Sequence, residues 1–186
     1  LQPAQPENLD VDGLLAGLYR YASAPSLEGP RAQLLASGVA LPWAIEAQRL
    51  LADDWGVGAD VWSATSWTEL RREALDCEQF NLLNPDADKR VPYVTRALSG
   101  HPGPFVAVSD YMRAVPDQVA RWVPGDFSSL GTDGFGFSDT RAATRRFFHV
   151  DAASIVLQTL TDRAARGEVG IDVPARAAAQ YGRGKG

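Results

Sequence analysis

The chain has 186 residues, 45% of them hydrophobic, and a net charge of -5 from 18 basic and 23 acidic side chains. That length and apolar content predict one domain with a sizeable core and exclude a wholly disordered chain, while the acidic balance speaks against a nucleic-acid binder, which needs a basic face. The single cysteine, Cys77, excludes an internal disulfide, no Cys/His cluster has zinc spacing, and no stretch approaches the ~20 apolar residues of a membrane span, so a reducing, cytoplasmic setting is expected.

Leu1 to Asn8 begins without an initiator methionine and carries Pro3 and Pro6. Residues 1–9 therefore read as a linker from a preceding domain, 10–181 as the domain itself and 182–186 as a flexible tail. Asp10 to Ala16 suits one or two helical turns, and Leu18-Tyr19-Arg20-Tyr21 alternates as a short strand. Ser23 to Arg31, with Pro25, Gly29 and Pro30, is a loop, and Gln33 to Gly38 is a strand buried on both faces. A helix follows from Pro42, with Ala44, Ala47, Leu51 and Trp55 at helical spacing, and Gly56 ends it.

Asp60 to Ala64 is the next strand, and Ser66-Trp67-Thr68-Glu69 behind it has the capping-box pattern, in which hydroxyl and carboxylate each satisfy an orphan donor. Leu70, Ala74 and Cys77 then share one helical stripe, which makes Cys77 a small buried hydrophobe rather than a nucleophile. Asn84 to Asp88 is a loop, Pro92 to Leu98 a short helix, Gly100 to Pro104 a turn, and Phe105 to Val108 an apolar strand. Val115, Val119, Trp122 and Val123 predict one more helical face, with Pro116 confined to its first turn.

Phe127 to Leu130 is the last strand, and the densest local signal follows it: Gly131, Gly134 and Gly136, flanked by Asp133 and Asp139, with Ser138 placed to cap a helix running through Thr140 to Phe147. Such a βα corner lies where open α/β sheets keep their sites, outside the carboxyl ends of the strands. Asp133, Gly134, Phe135, Gly136, Ser138 and Arg141 are accordingly the candidate contact surface for another domain or subunit. The alternative is a tight turn that the two aspartates cap and solubilise. Asp151 starts a helix carrying Ile155, Leu157, Leu160 and Ala164, stopped by Gly167, and Pro174 to Tyr181 is the last helix. Short strands alternating with helices make an α/β domain with a mainly parallel sheet and helices on both faces.

No nucleophile–base pair, metal constellation or phosphate loop stands out, and Gly56-Val57-Gly58 and Gly134-Phe135-Gly136 both lack the third glycine of a dinucleotide fingerprint. No catalytic, cofactor-binding or metal-ligating residue is therefore assigned. His101, in its turn, is expected to be exposed. His149, between two helices, is placed to close a helix C-terminus. Arg141, Arg145 and Arg146 form either a solvated helix face or an anion contact across an interface. Trp43, Trp55 and Trp122 fall on helical stripes as core, whereas Trp62 and Trp67 bracket a βα turn and are expected to face a partner.

Five segments occur together in order: Asp60 to Leu70, Asp76-Cys77-Glu78, Arg90-Val91-Pro92-Tyr93, Ser109-Asp110-Tyr111-Met112 and Leu130 to Gly136. Through them the chain, from about Pro6 to about Gly167, resembles the C-terminal part of the homodimeric, thiamine-diphosphate-dependent pyruvate dehydrogenase E1 components. The resemblance implies a transketolase C-terminal-like domain, three-layer α/β/α, with a five-stranded, mostly parallel mixed sheet whose first strand, near Leu18 to Tyr21, is antiparallel. It implies a whole enzyme that decarboxylates pyruvate on thiamine diphosphate with Mg²⁺ and reductively acetylates the lipoyl group of the E2 dihydrolipoyl acyltransferase. Cofactor and metal would sit in preceding domains, and this segment would serve dimer assembly and active-site support. Two positions depart from the family pattern: Phe137 stands where arginine is common, and Asn84-Pro85 where His-Pro is common. The competing readings are a standalone, non-catalytic α/β module that binds a protein or effector, and the C-terminal domain of a transketolase, which predicts a different sequence around Asp76 to Glu78.

Overall fold

A computed structural model describes residues 3–25 and 29–183. Five strands, β1 (Leu18–Ala22), β2 (Arg31–Ala36), β3 (Gly58–Ala64), β4 (Phe105–Val108) and β5 (Phe127–Leu130), form one sheet in the order β1-β3-β2-β4-β5. β1 runs antiparallel to β3, and the other three pairs are parallel. This is the expected mixed sheet, with its odd strand at the predicted place. The helices are α1 (Val11–Ala16), α2 (Leu41–Trp55), α3 (Trp67–Leu83), α4 (Tyr93–Leu98), α5 (Ala114–Asp117), α6 (Arg141–Phe147), α7 (Ala152–Ala165) and α8 (Val173–Gln180).

Side chains alternate across each strand, so the sheet feeds two cores. On one face Leu34, Val61, Val106 and Val108 meet Ala44 and Leu51 of α2 and Ile155 and Leu160 of α7. On the other, Leu35, Trp62, Phe105 and Ala107 meet Leu70 and Ala74 of α3 and Val94 and Leu98 of α4. Because both faces are covered, β2 and β4 read as nearly unbroken apolar runs.

The fully buried polar residue of β2 is Gln33. Its Oε1 accepts from Trp62 Nε1 at 2.8 Å, and its Nε2 donates to the Pro102 carbonyl at 3.0 Å. This corrects the expectation that Trp62 and Trp67 face a partner: they are 5% and 3% exposed and belong to the core. The partner that lets Trp62 be buried stands 29 residues away. His101 is also less open than expected. Its ring meets Trp62 edge-on at 4.9 Å, and its Nδ1 lies 3.7 Å from the buried carboxylate of Asp60.

The start of α3 is capped on one side only. Ser66 Oγ accepts the Glu69 N–H at 3.1 Å, but the Glu69 carboxylate binds Arg72 instead of closing the box, and the Ser66 N–H donates to the Gly17 carbonyl. Ser66→Ala is therefore expected to lower stability by ~1 kcal/mol, and Glu69→Gln to move the urea midpoint clearly less.

The single helix expected over Val115 to Val123 is instead the short α5 followed by a 3₁₀ turn, Ala120–Trp122. Thr95 Oγ1 donates to the Trp122 carbonyl, and Trp122 Nε1 donates to Glu78. These tertiary bonds take over from the local 3.6-residue period. The strand expected from Gln33 to Gly38 runs from Arg31 to Ala36, and of the loop expected over Ser23 to Arg31, residues 26–28 lie outside the described residues. Cys77 is buried on α3, as its stripe implied. In the stretch read as a linker, the Ala4 carbonyl accepts from Tyr21 Oη, and residues 1–2 lie outside the described residues. Of the stretch read as a flexible tail, Gly182 and Arg183 are fastened: Arg183 pairs with Asp151, and the Gly182 carbonyl accepts from Arg146. Residues 184–186 lie outside the described residues.

Candidate functional site

β4 and β5 end in register, Val108 beside Leu130, and the two chains leave the sheet together. One exit is Ser109 to Arg113, the other Gly131 to Asp133. They are stitched at the root: the Thr132 N–H donates to the Tyr111 carbonyl at 2.9 Å, and Asp133 accepts from the Arg113 N–H at 3.0 Å and from its Nε at 2.6 Å. The Arg113 guanidinium and backbone hold the Asp133 carboxyl below the usual aspartate range.

The glycines serve different ends. A Cβ on Gly131 would lie 2.6 Å from the Tyr111 carbonyl oxygen and 2.7 Å from the Arg113 nitrogen, so the two exits touch only because that position has no side chain. Gly134 has φ +94° with open space around it, so there the turn itself demands glycine. Neither reason applies to Gly136.

Beyond the stitched root the loop offers apolar surface. Phe135 is 98% exposed. Phe137 packs against Phe147 with ring centroids 4.8 Å apart, nearly perpendicular, and Phe147 meets Phe148 at 5.1 Å. Tyr111, Met112 and Phe147 are exposed on the same end of the sheet.

Ser138 does not cap α6. Thr140 does, its Oγ1 accepting from the Ala143 N–H at 3.3 Å, while the Asp139 carboxylate takes the Thr140 N–H at 2.6 Å. That local Asp–Thr bond keeps Ser138 and Asp139 in the loop and delays the helix until Arg141. At the far end of α6, His149 takes φ +57°, its N–H donating to Arg146, and the Val150 N–H donates to Arg145. This is a Schellman closure with histidine in the place glycine usually holds, so His149 closes the helix with its backbone.

Under the corner, Asp110, Thr132, Asp139, Arg141, Arg145 and Phe148 line much of a cavity of about 280 Å³. Burial pushes the Asp110 carboxyl up, and Arg145 opposes the shift. The three arginines are therefore not one solvated face: Arg145 lies 5.1 Å over the Trp43 ring, Arg146 holds Gly182, and Arg141 shares the cavity wall with Asp139.

Of the six candidates, Asp133, Gly134, Phe135 and Gly136 form one loop, Arg141 joins the cavity beside it, and Ser138 is exposed without a role in capping. His101 stands at the opposite end of the sheet, near the first residues of β2 and β4. Sequence reading missed Asp110 and Arg113 as members of the site. Asp110 stands in one of the segments that carry the resemblance, but what could have placed both residues at the site was their position just after an apolar strand, where a βα exit falls at the carboxyl edge. Among the described residues no three His, Cys, Asp or Glu side chains stand close enough to hold a metal ion. With Asp133 committed to Arg113 and Asp139 to Thr140, the corner's donors do not fit a magnesium diphosphate.

Residues 17–151 match the family described as the transketolase-like TK C-terminal domain. Over 180 residues the chain is 56% identical to the pyruvate dehydrogenase E1 component of Mycolicibacterium smegmatis, covering 97% of this chain and 19% of that protein. It is 43% identical over 180 residues to the pyruvate dehydrogenase E1 component of Escherichia coli K12, covering 96% of this chain and 20% of that protein. The chain thus spans about a fifth of the length of these curated relatives. Among solved structures, a transketolase from Leishmania mexicana is similar with a TM-score of 0.54 over 88% of this chain and 20% of that one, at 19% identity. A split-gene transketolase, described as an inactive beta4 tetramer, gives 0.53 over 86% and 46%, at 15% identity. At such identities the two structures show the fold alone.

Proposed function

We propose a function for a chain that belongs to the transketolase-like C-terminal domain family: it is the C-terminal domain of a cytoplasmic pyruvate dehydrogenase E1 component. The whole enzyme decarboxylates pyruvate on thiamine diphosphate with Mg²⁺ and reductively acetylates the lipoyl group of E2. Preceding domains of the same polypeptide bind cofactor and metal, and no residue of this chain is assigned to them. This domain serves assembly of the homodimer and support of the active sites formed by the other domains.

Identity of 56% to an E1 component over nearly the whole chain supports the parent enzyme. The assembly role is carried by one observation: a loop pinned at its root by Asp133–Arg113 and Thr132–Tyr111 holds Phe135 almost wholly in water. An ordered loop that presents a large aromatic side chain with no intramolecular contact to satisfy it is suited to burial against another surface. The standalone module would use the same corner. Relatives about five times longer than this chain favour the domain reading.

In the parent enzyme, Phe135→Asp is expected to weaken dimerisation by about 2 kcal/mol, the scale of an interface hot spot. Decarboxylation should fall in step with dissociation, and the domain's own stability should not change. Sedimentation across a concentration series, run beside activity, reads both. A variant that stays dimeric and active at every concentration of the wild type rules the corner out as an assembly contact.

A further inference from the structure

α6 is loosely seated. None of its seven residues is fully buried; Arg145 over the Trp43 ring and the half-buried Phe148 just past its last turn tie it to the core. It nevertheless backs the glycine corner, because Phe137 of the loop packs against Phe147 and Phe148 at the end of the helix. Whatever fixes that end decides where the aromatic wall stands.

The junction that follows is strained. His149 lies between α6 and α7 in the left-handed region, φ +57°, where a side chain crowds the backbone. Such a conformation persists only where its surroundings hold it. Here the hold comes from the far end of the chain. Arg183 spans the junction: its Nη1 donates to the Arg146 carbonyl on one side at 2.7 Å, and its Nη2 pairs with Asp151, the N-cap of α7, on the other. Asp151 caps α7 through Oδ1, which accepts from the Ser154 N–H at 3.0 Å, and so leaves Oδ2 for Arg183. Arg146 in turn donates to the Gly182 carbonyl. The Arg183 guanidinium also puts positive charge at the carboxyl end of α6, where the helix dipole favours it.

The segment that carries Arg183 is itself anchored. Ala177 of α8 is fully buried, Tyr181 Oη donates to Asp54 at 2.6 Å and accepts from Trp55 Nε1 at 3.0 Å, and Gln180 Nε2 donates to Asp54 at 2.9 Å. α2 thus sets the position of Gly182 and Arg183, and they set the end of α6. The Arg183 side chain is 8% exposed, so its pair with Asp151 is largely out of water, and losing one member leaves the other poorly compensated.

We infer that Gly182 and Arg183 form a latch on the α6–α7 hinge that controls assembly through the glycine corner, an inference that rests on the corner's assembly role. Latched, α6 holds Phe147 and Phe148 behind Phe137, and the loop presents Phe135 to the second subunit. Released, His149 relaxes, the end of α6 swings free, and the loop loses its backing.

The test is hydrogen–deuterium exchange and sedimentation on the parent enzyme carrying Arg183→Gln. Amides from Thr144 to Val150 should exchange roughly tenfold faster than in the wild type, those of β2 and β4 should not change, and the dimer should weaken by about threefold or more. His149→Gly removes the strain at the hinge, so in that background Arg183→Gln should speed exchange clearly less. Unchanged exchange at α6, an equal rise in β2 and β4, or the same rise with and without His149→Gly would each overturn the latch. These exchange readings do not depend on what the corner binds. If Phe135→Asp weakens the dimer and Arg183→Gln does not, the corner remains an assembly contact and the latch's control over it is refuted.

Discussion

Gly103→Ala is expected to cost the domain about 4 kcal/mol or more, a large share of the stability of a typical domain. Gly103 sits in the turn before β4, where the chain crosses the first residue of β2. A Cβ built there falls 1.8 Å from the Arg31 carbonyl oxygen and 2.5 Å from its carbon. Both are backbone atoms, and neither can step aside cheaply. The Arg31 carbonyl already accepts from the buried Arg163, Gln33 two residues on is bonded to Pro102 and Pro104, and prolines on either side of Gly103 restrict the turn. The residue also has φ +100°, where an L side chain is strained even in open space. Gly134→Ala separates the two effects. It shares the positive φ but meets nothing within 4 Å, so about 1–2 kcal/mol is expected from backbone strain alone. Urea denaturation of both variants checks the contrast, and equal losses would contradict the close packing of turn on strand.

Phe105→Ala should lower stability by about 3–5 kcal/mol. Phe105 opens β4, the strand between β2 and β5, and is 1% exposed. Its ring lies under Gly125, where a Cβ would come within 2.9 Å of Cε2, so backbone and not a mobile side chain roofs the site. Collapse into the vacated space is therefore limited, and the cavity adds to the lost burial. A shift of the urea midpoint at unchanged m-value is the expected signature. A loss under about 1 kcal/mol would show that the core closes over the gap.

Much of the fold was legible from local chemistry. Gly56 closes α2 in the left-handed conformation, Ser66 and Asp151 cap α3 and α7, and the apolar runs of β2 and β4 announce a sheet covered on both faces. What escaped was set at a distance. Trp62 looked like a surface residue because the Gln33 amide that pairs with its indole is remote in sequence, and the Asp133–Arg113 stitch spans 20 residues. The start of α6 escaped for the opposite reason: Ser138, Asp139 and Thr140 are all good caps, and only the bond between the last two decides among them. His149 in the left-handed region had no local signal, since that position usually belongs to glycine. At the site, the loop itself could be read from its glycines, while its second wall, Asp110 to Arg113, came from another strand.

The most direct measurement is made on the parent polypeptide, intact and truncated before Leu1, with dimer mass and lipoyl-dependent pyruvate decarboxylation followed together. Loss of both on truncation is predicted for a domain that assembles the enzyme. A truncated protein that remains dimeric and active would contradict that role.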